Sequence, residues 1–124
     1  METFKMNETI LKTIKTLLGI DDSYEYFNSE IIPHINGVLF TLYQLGVIKE
    51  RFRITSGSET WADLLGEKES QAELIKDYMY WKVKKAFDPP ASGTLMEAIN
   101  QQIAEAEWRL NVEFDDTWAE DDEE

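Results

Sequence analysis

Hydrophobic positions along this chain recur every three or four residues in four long stretches, and that spacing predicts helices. Over about residues 8–18, Ile10, Leu11, Ile14, Leu17 and Leu18 fall on one face, with Lys12, Lys15 and Thr16 on the other. Gly19 is placed to stop this helix. A second helix is expected from about Glu30 to Leu45, ending at Gly46. Its apolar arc holds Ile31, Ile32, Ile35, Val38, Leu39, Leu42, Tyr43 and Leu45; His34, Asn36, Thr41 and Gln44 lie opposite. Pro33 costs nothing in a first turn, but an earlier helix start would put a kink there. The following VIKERFRITSG has no helical period, and Phe52 and Ile54 alternate with charge, which suits a short strand or an extended loop. SETWADLLG reads as a short capped helix from Ser58, with Trp61, Leu64 and Leu65 inward and Gly66 as its stop.

A third long helix over about 69–87 is apolar around most of its girth, through Ala72, Leu74, Ile75, Tyr78, Met79, Trp81, Val83 and Ala86. A helix of that kind belongs in the middle of a bundle. Tyr80 and Phe87 fall outside its arc, and Lys76, Lys82, Lys84 and Lys85 gather toward its C-terminal half, where the helix dipole favours cations. Pro89 and Pro90 then end it, since neither carries an N–H. Thr94 and Glu97 stand at capping-box spacing for a last helix running to about Asn111. Leu95, Ile99, Ile103, Ala106 and Leu110 form its stripe, whereas Trp108 points nearly the other way, beside Ala104 and Val112. A tryptophan on the back of an amphipathic helix predicts a second surface that covers it. The fold class is therefore all-α, a small bundle of four principal helices plus one short helix.

The charge changes this picture at one end. Residues 113–124, EFDDTWAEDDEE, hold eight acidic and no basic residues, which leaves −5 of the total −13 to the remainder. The chain divides into a helical domain over 1–112 and an acidic partner-binding tail over 113–124. Phe114 and Trp118 are four apart, so a helical turn would set both rings on one side. Free in solution the tail is expected to be disordered, because ordering its backbone consumes most of what burying two rings would return. A nucleic-acid binder would carry a basic face, and this chain would instead repel phosphate.

Candidate chemistry is sparse. There is no cysteine, and His34 is the only histidine. Neither a nucleophile–base pair nor a thiolate metal site can be assembled, and Asp21–Asp22 and the DDEE terminus lack the ligand spacing of a calcium loop. No phosphate-binding loop, dinucleotide fingerprint, nucleophile elbow or HExxH occurs. An enzyme is not expected, nor is any cofactor or metal. METFKMNETI lacks the apolar run of a signal peptide and no segment reaches membrane-spanning length, so a soluble protein made in a cytoplasm, without membrane contact, is expected.

Four stretches together, TIKTLLGID, IIPHINGVLFTLYQLGV, SETWADLLG and FDPPASGTLMEAINQQIAEAEWRLNV, resemble the small head–tail connector (adaptor) proteins of long-tailed bacteriophages and prophages. The resemblance spans about residues 8–112. It implies a helical bundle assembling as a twelve-membered ring beneath the portal protein, in the virion neck. Such a ring extends the DNA channel, lets DNA pass without specific binding, and offers a platform to stopper or tail-completion proteins. It also implies that the helix from Thr94 to Asn111 and the tail reach the portal. On that reading Ala104, Trp108, Val112, Phe114 and Trp118 contact the portal or a neighbouring subunit, and Tyr80 and Phe87 supply a further subunit contact. The alternative from another class is a small acidic helical inhibitor that mimics DNA, or another protein-binding module.

Overall fold

Thr9 starts the first helix. Its side chain accepts the Lys12 N–H at 3.1 Å, which caps α1 (Ile10–Leu18). Gly19, at φ 85°, ends α1 as expected: its N–H and that of Ile20 return to Thr16 and Lys15 carbonyls at 3.0 and 2.8 Å. In the computed structural model, which describes residues 5–66 and 71–122, with side chains described as far as Glu113, four more helices follow. These are α2 (Asn28–Gln44), α3 (Trp61–Leu65), α4 (Ala72–Phe87) and α5 (Gly93–Asp122). The architecture is the small all-α bundle that the periodicity predicts.

Several boundaries differ from the sequence reading. Helix α2 begins two residues earlier, so Pro33 lies inside it and Ser29 loses the backbone donor that would close its turn. The short helix is capped by Thr60 and not Ser58; Thr60 Oγ1 accepts from Asp63 N at 3.1 Å and the Asp63 carboxylate accepts from Thr60 N at 2.9 Å. The capping box expected from Thr94 and Glu97 is absent. Ser92 Oγ instead accepts from Thr94 N and Leu95 N at 3.1 and 3.3 Å, so the helix begins at Gly93. Nor does the last helix stop near Asn111. It continues to Asp122, because no glycine or proline interrupts that stretch, and the tail is helical where a disordered segment was expected. At 30 residues α5 is about 45 Å long.

Helix α4 is the central element, packing on α1, α2 and α5. Its Ala72, Ile75, Tyr78, Met79 and Val83 are buried, while Ala86 is exposed. They join Ile10 and Ile14 of α1, Ile31, Ile35, Leu39 and Leu42 of α2, Trp61 of α3 and Leu110 of α5 in one core. The stripe predicted for α5 is inward at Ile99, Ala106 and Leu110 and half-buried at Ile103, but Leu95 is 57% exposed. It sits in the first turn of the helix, four residues before Ile99, the first buried position of α5.

Between α2 and α3 the chain makes an extended loop and no strand. The Asn36 side chain holds it by both amide atoms: Oδ1 accepts from Ile54 N at 2.7 Å and Nδ2 donates to Ile54 O at 2.9 Å. This grip presses the Ile54 side chain into the core. The loop then closes on the start of α1 through an antiparallel bridge between Thr9 and Thr60. Ile10 N donates to Glu59 O at 3.0 Å, and Trp61 N donates to Glu8 O at 3.2 Å. Beneath the bridge Trp61 Nε1 donates to Thr13 Oγ1 at 2.9 Å, and that hydroxyl is 2.5 Å from Glu8 Oε2.

Lys15, placed on the polar face by periodicity, is only 1% exposed. The connection after α1 folds back over it, and its ammonium donates to the carbonyls of Asp22 and Tyr24 at 3.0 and 2.7 Å. The buried charge is thereby solvated by backbone dipoles.

Candidate functional site

Helix α5 shows two kinds of face. Toward α4 it sends Ile99, Ala106 and Leu110 into the core, and Glu107 meets the Tyr78 hydroxyl at 2.8 Å. Desolvation, with help from the Glu107 carboxylate, pushes the Tyr78 phenol well above its ordinary pKa, so it remains a donor. Away from the core, Ala104, Trp108 and Val112 follow one another at four-residue intervals and are all exposed, Trp108 by 65% and Val112 by 46%. The periodicity that turned Trp108 away from the stripe is correct in direction.

Trp108 and Val112 do not stand over open solvent alone. With Glu73, Leu74 and Asp77 of α4 they line a groove of about 410 Å³. A second hollow of about 190 Å³ continues it along the helix pair, past Trp81, Gln102 and Glu105, and shares Leu74, Asp77 and Arg109 with the first. The result is a trough between α4 and α5 that is apolar at the Trp108 end, more polar toward Gln102 and Glu105, and charged along its rim. Lys76 lies 2.9 Å from Glu73 and 3.6 Å from Asp77. Partial burial opposes its charge, yet the two carboxylates hold its pKa above the ordinary value. Arg109 pairs with Glu105 at 2.6 Å.

Tyr80 and Phe87 are elsewhere. Phe87 is half-buried under Phe27, ring centroids 5.3 Å apart and edge-on, and Tyr80 leans on Trp81 at 4.8 Å. Neither lines the trough. Phe114 and Trp118 lie on the C-terminal extension of α5, and their side chains fall outside the described residues. His34 is half-buried on α2. Glu73 and Asp77, on the opposite wall, went unread in the sequence, and Leu74 was read only as part of the apolar arc of its helix. Their spacing is helical, but only the α4–α5 packing brings them beside Trp108.

Among the described residues no three His, Cys, Asp or Glu side chains gather to hold a metal ion, and no helix is long and apolar enough to cross a membrane. The trough offers apolar contact and carboxylates, which is the chemistry of protein docking. A small helical bundle with an exposed aromatic groove and a long terminal helix is an interaction module. The phage connector protein family model matches residues 10–117, and the chain belongs to that family. Its role is that of a structural connector, associated with phage head and tail components. The match runs past Val112 to include Phe114 but stops before Trp118. No curated protein and no solved structure matches significantly. Membership favours the connector over the DNA-mimicking inhibitor.

Proposed function

We propose that the protein is a non-enzymatic neck connector that forms a twelve-membered ring beneath the portal of a long-tailed phage, extends the DNA channel and receives the stopper or tail-completion protein. One observation carries the reading: α5 runs on as helix to Asp122, past Leu110, the last buried position among the residues whose side chains are described, with Trp108 and Val112 exposed beside it. A helix of that length anchored at one end is a lever, and its far end delivers Phe114, Trp118 and the acidic terminus to a second protein. Twelve copies at −13 each carry about −156, a field that lets DNA slide past instead of adsorbing. The free chain is monomeric, because the core absorbs most of each apolar stripe and leaves only small patches for subunit contact. Repetition around a ring turns weak single contacts into firm attachment.

The test is a chain truncated after Val112, supplied to portal-bearing heads that lack the connector. Truncation leaves the core intact, since Leu110 is the last buried position among the residues whose side chains are described. Melting should stay cooperative and nearly unchanged while attachment to heads is lost. Heads that bind the truncated and full chains equally would show the tail to be a solubility device.

A further inference from the structure

A closed ring of identical subunits needs two different surfaces on each copy, one that gives and one that receives. The trough between α4 and α5 has the form of a receiver. Trp108, Val112 and Leu74 make it apolar, and its rim carries Glu73, Asp77, Glu105 and Glu113 against Lys76 and Arg109, an excess of two carboxylates.

Two other exposed aromatic patches occur among the described residues. Tyr24 and Tyr26, with rings 6.1 Å apart, sit in the connection that also carries Asp21, Asp22 and Glu25. Seated in the trough, that patch would bring carboxylates against carboxylates. The other is on the C-terminal half of α2, where Phe40 and Tyr43 stack at 6.4 Å and both are exposed. The Arg51 guanidinium lies 5.0 Å from the Phe40 ring centroid, and Arg53 is exposed nearby in sequence. This patch is aromatic and basic where the trough is aromatic and acidic. Helix α4 packs on both α2 and α5, which have no more than marginal contact with each other, so the two surfaces belong to different sides of the α4 packing.

We propose that the Phe40–Tyr43–Arg51 patch of one copy docks in the α4–α5 trough of the next, with the aromatic pair against Trp108 and Arg51 facing Glu73 and Asp77. The proposal rests on the ring reading and names its subunit contact. The contact is heterologous, so it propagates from copy to copy until the ring closes. Opposite charge fixes its register and discriminates against the acidic tyrosine patch.

The chain has no cysteine, which makes disulfide trapping clean. The full chain carrying both Tyr43→Cys and Val112→Cys should, on oxidation at millimolar concentration, give a ladder of covalent dimers, trimers and longer species. Each single variant should give none. Arg51→Glu added to the pair should slow the trapping about five- to tenfold, and Asp77→Arg added to that should restore it. Circular dichroism of every variant controls for folding. Single variants that dimerise as fast as the double variant would show a symmetric contact and overturn the proposal. So would an untrapped double variant in necks purified from virions, an outcome that leaves the ring reading standing. A protein trapped as a ladder yet never found in necks would overturn the ring reading and leave the contact intact.

Discussion

The Tyr78 hydroxyl donates to Glu107 Oε2 at 2.8 Å, and this bond joins the central helix α4 to the lever helix α5 at a point with core on both sides. Tyr78→Phe keeps the ring and removes the donor to a half-buried carboxylate. It should cost about 1.5–3 kcal/mol in urea unfolding, the usual worth of a hydrogen bond to a charged group. The raised phenol pKa also fixes a sign. Stability from this group is full below the ordinary value of 10.0 and declines as pH climbs toward the folded value, so the wild type should soften above pH 10.0 more than Tyr78→Phe does.

Lys15→Met preserves the buried stem and deletes the ammonium between the Asp22 and Tyr24 carbonyls. Two backbone acceptors then lose their donor, with an expected cost of about 1–3 kcal/mol. Amide exchange should rise selectively in residues 20–26, the connection that this charge holds down.

Gly57 sits at φ 90°, and a Cβ there would come within 2.7 Å of Leu11 Cδ2, a buried side chain of α1. Gly57→Ala therefore combines left-handed strain with a contact that Leu11 must yield to. A loss of at least about 1–2 kcal/mol is expected from thermal melting. Gly37→Ala is the control, since nothing lies within 4 Å of a Cβ placed there and the residue is inside a helix. It should be neutral or stabilising.

Burial works against the Glu59 charge, but donors from Thr55 N at 2.9 Å, Thr55 Oγ1 at 3.2 Å and Gly57 N at 3.1 Å outweigh it and lower its pKa. A lowered folded pKa means stability that is present above the ordinary 4.5 and lost as pH falls through the folded value. Glu59→Gln should cost about 1 kcal/mol at neutral pH and flatten the acid limb of the stability profile below 4.5.

Trp108→Ala should alter monomer stability by no more than about 0.5 kcal/mol, as expected for a surface position, where a core tryptophan would cost about 3–5 kcal/mol. Incorporation of the variant into necks should nevertheless fall. A large drop in the melting temperature of the isolated chain would place the indole in the core instead.

Hydrophobic spacing, with the cap and stop residues, determined the number and order of the helices, the end of α1 at Gly19 and the outward direction of Trp108. These are local matters: a 3.6-residue period and a stop residue act within a turn or two of themselves. The four stretches TIKTLLGID, IIPHINGVLFTLYQLGV, SETWADLLG and FDPPASGTLMEAINQQIAEAEWRLNV likewise pointed to the connector family, whose model matches residues 10–117. Helix ends were less legible, because Thr94 and Ser92 both offer a capping hydroxyl and the sequence does not say which one the backbone selects. Nor did periodicity see that Lys15 would be covered, since the cover is a loop folding back from seven to nine residues away. The trough under Trp108 and the Tyr78–Glu107 bond needed the packing of α4 on α5, which brings together positions 29 apart in the chain. A helical period fixes which face a side chain occupies; only the tertiary structure decides what stands opposite that face.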